Sequence, residues 1–195
     1  MSKKTSNVRI TDRDNEIKKF LREVIVADTE TIHKIFFKDA SDRVCQARLR
    51  ALENNNFIKS FRPDILSQKI WYLSKKPSSY VHKIAFSQLL GKLHEQGVKI
   101  LKYRTPFKLG EGKGSLIADG FIAINVKGIN KIYLVEVDRC KKFDLDKYIN
   151  CLESKLYKDK FPIMPSILSI TDKQVKMDNR LDIKTCKLDF SNLNL

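Results

Sequence analysis

Apolar residues recur at helical spacing through the first part of the chain. Ile17, Phe20, Leu21 and Val24 share one face behind Thr11, which reads as an N-cap, with Asp12 and Asp14 in the first turn. A first helix is therefore predicted over 12–24. Ala27-Asp28-Thr29 breaks the pattern, and Ile32, Ile35 and Phe36 predict a short second helix over 29–37. Ser41 is placed to cap a third helix over 43–54, which the Asn54-Asn55-Asn56 triplet ends. On it Cys45, Leu49 and Leu52 form an inward stripe, and Arg43, Gln46 and Arg50 fall on the opposite side. The segments 57–61 and 69–73 read as strands on either side of a Pro-containing loop, while residues 1–9 are polar, basic and read as loose.

Lys75-Lys-Pro-Ser-Ser79 reads as a linker. Val81, Ile84, Ala85, Leu89, Leu90 and Leu93 then predict a helix over 80–96, ended by Gly97. A strand over 98–103 and a basic, Gly-rich loop over 104–113 follow. Two Ile/Val/Tyr/Phe-rich runs, 121–126 and 131–137, are joined by Lys127-Gly128-Ile129-Asn130 and predict an antiparallel hairpin. Leu145, Tyr148, Ile149, Leu152 and Leu156 predict a helix over 143–158. A strand over 165–170, a short helix over 174–180 and a final strand or tail over 182–195 complete the reading.

Three helices followed by a two-stranded ribbon is the winged form of helix-turn-helix. The fold class expected is α+β, with a winged helix-turn-helix domain over 1–76 and an α/β domain with a mixed sheet over 77–195. The run Arg48-Leu49-x-x-Leu52-Glu53-x-x-x-Phe57-Ile58 resembles the recognition helix of winged-helix DNA-binding domains passing into the wing. In that arrangement Ser41, Arg43, Gln46 and Arg50 face DNA from the helix, and Lys59, Arg62 and Lys69 decorate the wing. The competing reading is a solvated face on a small helical subdomain that binds protein.

Charge sharpens this picture. The net charge is +15, with 38 Lys and Arg against 23 acids, which points to a polyanionic partner, double-stranded DNA above all. Residues 1–80 hold 17 basic against 10 acidic groups and residues 81–195 hold 21 against 13, so the excess belongs to both halves. No apolar run approaches the ~20 residues of a membrane span, and no signal-peptide pattern opens the chain, so no membrane partner is expected. Cys45, Cys140, Cys151 and Cys186 form no C-x-x-C pair, and His33, His82 and His94 are dispersed, which argues against structural zinc and for free thiols in a reducing cytoplasm.

The candidate chemistry lies on the hairpin. Asp119 stands just before its first strand, and Glu136 and Asp138 close the second. Glu136 and Asp138 alternate onto the face of Ile132 and Leu134, where ionised carboxylates are costly unless a hard cation offsets them. The order of helix, strand, acid-bearing hairpin, helix and strand resembles the core of the PD-(D/E)xK nucleases. That resemblance implies catalytic roles for Asp119, Glu136 and Asp138, with Asp119 and Glu136 holding Mg2+ or Mn2+. It also implies a lysine two residues after Glu136, but Asp138 stands there. Arg139, Lys141, Lys142 and Lys147 are the basic groups that could replace it, and spacing selects none of them.

A broader resemblance spans about 10–170. Trp71-Tyr72-Leu73 at the wing's end, a helix containing His82, Ala118-Asp119-Gly120 and Glu136-Val137-Asp138-Arg139 together resemble the replication-relaxation family. It departs from that pattern at Ala118, where Pro is usual, and at Cys140, where Gly is usual. The resemblance implies a DNA-binding protein of plasmids and other mobile elements. Its nuclease-like domain is active or silent, and its partners are a relaxase, replication proteins or a second copy of itself. A metal-dependent endonuclease or nickase and a winged-helix transcription regulator are the alternatives. Without metal, Asp119 simply starts a turn with Gly120, and Glu136 and Asp138 pair with Arg139 or the lysines beyond. Tyr103, Tyr133 and Tyr148 lack the paired histidines that would make one of them a relaxase nucleophile.

Overall fold

A computed structural model describes residues 8–195, the side chain of Lys113 excepted, so most of the loose leader expected over 1–9 lies outside the described residues. The fold is mixed α and β and divides into two compact units, Met1–Gly97 and Val98–Leu195.

The first unit contains α1 (Asp12–Val24), β1 (Val26–Asp28), α2 (Thr29–Phe36), α3 (Asp42–Asn54), β2 (Lys59–Phe61), β3 (Ile70–Tyr72) and α4 (Val81–Glu95). Thr11 and Asp14 form a capping box on α1, with the Thr11 N–H donating to Asp14 Oδ2 at 2.7 Å. Asp28 caps α2 by accepting from the Thr31 N–H at 2.7 Å. Ser41 occupies the N-cap position of α3, but its side chain makes no capping hydrogen bond, contrary to the role read for it. Ile17, Phe20, Leu21, Leu49, Leu52 and Trp71 close the core.

The strands form an antiparallel sheet in the order β1-β3-β2. β1 lies where the sequence shows only a break in periodicity: Ala27 pairs with Trp71, and the Trp71 indole N–H donates to Thr29 Oγ1 at 2.9 Å.

α4 packs on α2 and β1. Gln88 donates to Asp28 Oδ2 at 2.7 Å, and a Cβ on Gly91 would lie 3.3 Å from Thr31 Cγ2, so the helices approach closely there. The division therefore falls at 97/98 rather than at 76/77, because the apolar face of α4 is used by the first unit.

The second unit contains β4 (Lys99–Arg104), β5 (Phe107–Leu109), β6 (Leu116–Ala118), β7 (Gly120–Val126), β8 (Ile129–Val137), α5 (Leu145–Glu153), β9 (Ser166–Ile170) and β10 (Ile183–Cys186). Its main sheet runs β10-β9-β8-β7-β4. β4, β7 and β8 are antiparallel, and β9 and β10 run parallel to β8. The parallel step requires a crossover, which α5 supplies.

Lys127 and Gly128, at φ 51° and 86°, make the tight turn of the β7–β8 hairpin, a geometry that suits the right-handed twist of the strands. Against one face of the sheet pack Phe121, Leu134 and Ile167 with Phe143, Tyr148 and Phe161. The short β5–β6 ribbon adds Phe107, stacked on Phe121 at 4.7 Å.

Four expectations change in this unit. The link expected over 127–130 shrinks to the two-residue turn Lys127-Gly128, with β8 beginning at Ile129 rather than at 131. The loop predicted over 104–113 contains β5. The helix predicted over 143–158 ends at Glu153, because Lys155 turns left-handed at φ 57° before a one-turn 3-10 helix, Leu156–Asp159. The helix predicted over 174–180 is absent, and Arg180 instead ties the segment down by pairing with Asp178 and Glu153, both at 2.9 Å.

Candidate functional site

The hairpin register brings the two acids together. Gly120 pairs with Val135, so one further step sets Asp119 across from Glu136. The Asp119 carboxylate reaches over this end of the hairpin, its Oδ2 accepting from the Val137 N–H at 2.9 Å. The Thr105 hydroxyl donates to the Asp119 carbonyl, fixing the backbone just before β7.

Glu136 projects from β8 on the side of Leu134, against α5, and only 7% of its surface is exposed. Its Oε1 accepts from Lys147 Nζ at 2.5 Å and from the Tyr148 hydroxyl at 2.5 Å. Both donors lie in the first turn of α5, where Asp144 caps the helix by accepting from the Lys147 N–H at 3.3 Å. Lys147 Nζ also donates to the Ile117 carbonyl at 3.3 Å, which ties α5 to β6. Among the described residues it is Lys147, and not Arg139, Lys141 or Lys142, that touches Glu136. Sequence spacing gives these four basic groups equal standing, and contact with Glu136 distinguishes Lys147 from the others.

Burial pushes the Glu136 carboxyl up to about 6; the Lys147 charge and the hydrogen bonds from Lys147 and Tyr148 oppose that rise, while the Asp119 charge adds to it. Burial, and then the negative charge of Glu136, Asp119 and Asp138, holds the Tyr148 hydroxyl well above the usual tyrosine range. Tyr148 therefore stays protonated, as a fixed donor to Glu136. This, with its burial, removes it as a nucleophile.

Asp138 lies just past β8. Its N–H donates to the Ile170 carbonyl at 2.9 Å, and its carbonyl accepts from the Thr171 hydroxyl at 2.8 Å. It is half-buried and contributes negative charge at Tyr148.

Among the described residues no three His, Cys, Asp or Glu side chains form a metal-holding group. The acids set across from each other at this end of the hairpin, Asp119 and Glu136, carry hard oxygens. They suit Mg2+ or Mn2+, which bind through one or two carboxylates and complete their shells with water and phosphate. The second oxygen of Glu136 carries no hydrogen bond among the described residues, so the carboxylate keeps acceptor capacity beyond Lys147 and Tyr148. Beside Lys147, a cleft of about 570 Å³ opens between Gly114, Ser115 and the Asn150–Ser154 side of α5.

In the first unit, Arg43, Gln46 and Arg50 are exposed on α3, opposite buried Cys45, Leu49 and Leu52. Gln46, Arg50, Arg62, Lys69 and Trp71 line a cleft of about 490 Å³ between α3 and the loop joining β2 to β3. Ser41 is exposed at the start of α3. The three basic residues expected on the wing have partners within the chain. Lys59 donates to the Ser74 carbonyl at 3.0 Å and Arg62 to the Ser67 carbonyl at 2.6 Å. Lys69 pairs with Glu53 at 2.7 Å and lies 5.1 Å from the Trp71 ring centre, which fastens the end of this loop to α3.

No helix among the described residues is long and apolar enough to cross a membrane. No protein-family model, curated protein or solved structure matches the chain.

Proposed function

We propose that the protein binds double-stranded DNA through its first unit and hydrolyses a phosphodiester at a metal-assisted centre in its second. The observation that carries the reading is the contact of Lys147 with Glu136, beside Asp119 just ahead of the neighbouring strand. Two carboxylates with one ammonium group form a set able to support metal-assisted phosphodiester hydrolysis, and here the ammonium comes from α5 instead of position 138.

The order α1-β1-α2-α3-β2-β3 with the sheet order β1-β3-β2 supports a winged helix, with α3 as the reading helix. The meander β4-β7-β8 followed by α5 and parallel β9 supports kinship with the PD-(D/E)xK core. The helix preceding that meander, α4, departs from the pattern by packing within the first unit. The replication-relaxation kinship belongs to the same proposal, with its mobile-element setting and its relaxase, replication-protein or homodimer partners.

Asp119 and Glu136 would hold Mg2+ or Mn2+, which supplies polarisation of the phosphate and acidification of a water. Lys147 places a positive charge where the phosphate gathers negative charge, and its bond to Glu136 keeps that charge at the site. Tyr148 and the apolar floor beneath it hold Glu136 in one orientation and exclude water from behind it.

Incubation with supercoiled plasmid and Mg2+ or Mn2+ is expected to yield nicked or linear product that EDTA abolishes. Binding without metal-dependent cleavage would leave an accessory or transcription-regulating role and refute the hydrolytic one. Fluorescence anisotropy on labelled duplex is expected to show affinity falling steeply with salt. Arg50→Ala should weaken binding by about 1–3 kcal/mol if Arg50 reads a base edge. An unchanged titration would remove α3 from the interface.

A further inference from the structure

The loop between β2 and β3 carries the two most exposed large apolar side chains among the described residues, Ile65 at 91% and Leu66 at 95%. A loop that only joined two three-residue strands would favour polar residues here, and an apolar pair held fully in water signals a contact.

The tip is braced. The Asp64 carboxylate accepts from the backbone N–H groups of Leu66 at 2.9 Å and Ser67 at 2.8 Å, and also from the Ser67 hydroxyl. Arg62 closes the base of the loop by donating to the Ser67 carbonyl at 2.6 Å. These bonds fix the backbone while both apolar side chains stay presented to solvent.

Leu66 lines the same cleft as Gln46 and Arg50 of α3 and Arg62 of the loop. Of the two acids at its rim, Glu30 pairs with Lys34 at 2.7 Å and exposed Asp42 lies 3.3 Å from the His33 ring, while Arg50, Arg62 and Lys69 outnumber them. A single body filling the cleft therefore meets a cationic, hydrogen-bonding helix face and an apolar point together. A DNA duplex offers both complements, phosphates along its edges and apolar base faces within its stack. With a net charge of +15 the protein favours that polyanion over an acid-poor protein surface.

We infer that Ile65 and Leu66 form a wedge that enters the minor groove beside the groove occupied by α3 and parts one base step, kinking the duplex. The inference rests on the DNA-binding reading proposed above. A helix fills the major groove, so a loop standing beside it reaches the adjacent minor groove. Apolar side chains unstack pyrimidine–purine steps most readily, TpA above all.

The test uses duplexes of about 24 base pairs, end-labelled for energy transfer, with a central TpA or GpC step. Wild-type protein is expected to raise transfer on the TpA duplex more than on the GpC duplex. Ile65→Ser/Leu66→Ser should keep affinity within about tenfold and leave both duplexes straight, whereas Leu66→Phe should retain the bend. Both positions are exposed, and an unchanged thermal melt verifies that the variants fold. Binding by wild type without distortion, or distortion that survives the double Ser variant, overturns the wedge alone. Failure of wild type to bind either duplex refutes the DNA-binding reading and the wedge with it.

Discussion

Lys147→Ala is expected to slow metal-dependent plasmid cleavage by about 10²–10³-fold, the loss typical of removing one preorganised charge from a developing anion. Glu136→Ala removes a cation ligand and should be at least as severe. The two variants separate in their pH profiles. Glu136 must be ionised to hold a cation, and its carboxyl sits near 6 in the metal-free site, so at sub-saturating cation wild-type activity should fall as pH drops through about 6. The Lys147 charge and hydrogen bond are the largest opponents of burial at Glu136. Without them the carboxyl rises further, and the acidic limb of any residual activity should move to higher pH. A Lys147→Ala enzyme with wild-type rate and an unmoved profile would remove Lys147 from the centre.

The same variant allows a relocation test. The PD-(D/E)xK resemblance expects a lysine at position 138, just past the β8 end, where Asp138 now adds negative charge near Tyr148. Asp138→Lys in the Lys147→Ala background is expected to recover part of the lost activity, because it returns one positive charge to the same end of the sheet. Asp138→Lys beside an intact Lys147 should gain little, since Glu136 is already paired at 2.5 Å.

How much of this the sequence reveals depends on whether each feature is local. α1 is readable to the residue because its apolar stripe, capping box and first-turn acids lie within one stretch. The β7–β8 hairpin is readable for the same reason, but its register is not: a four-residue link over 127–130 would set Asp119 against Asp138, whereas the two-residue turn Lys127-Gly128 sets it against Glu136. Three residues of β1 and three of β5 are too few to show alternation, and only their pairing partners make them strands. α4 shows an apolar face plainly, but a face does not say which unit it covers. The choice of Lys147 is less local still. It depends on how the α5 crossover docks over β8 on its way to β9, a distance no residue spacing encodes. The signal that was present is the Asp144 cap, which puts Lys147 and Tyr148 in the first turn of a helix following the acid-bearing strand.

Arg48→Ala is expected to destabilise the first unit by about 3–5 kcal/mol, the usual result of stranding a buried charge. Asp14 was readable as a capping acid, and it is one, but its side chain is 0% exposed. Arg48 Nε donates to Asp14 Oδ1 at 2.9 Å, and an Arg48 Nη2 donor reaches Oδ2. The Thr11 N–H and hydroxyl add two further bonds to Oδ2, both at 2.7 Å. Burial alone would raise this carboxyl, but the Arg48 hydrogen bonds, the Thr11 bonds and the Arg48 charge outweigh it and draw it down to about 2. A depressed folded-state value stabilises the fold above the unfolded value of 3.8, and that stabilisation is lost as pH falls toward 2. The linkage amounts to about 2 kcal/mol between pH 4 and 2. In Arg48→Ala the carboxyl loses its principal partner while its burial remains, so this acid-side loss should shrink or reverse. Asp14→Ala/Arg48→Ala should be less destabilised than the sum of the single variants, because the double change leaves no orphaned charge. Chemical denaturation followed through Trp71, which is 1% exposed in the same core, measures each quantity. A shift below about 1 kcal/mol for Arg48→Ala would class the pair with surface ion pairs and refute its role in joining α1 to α3.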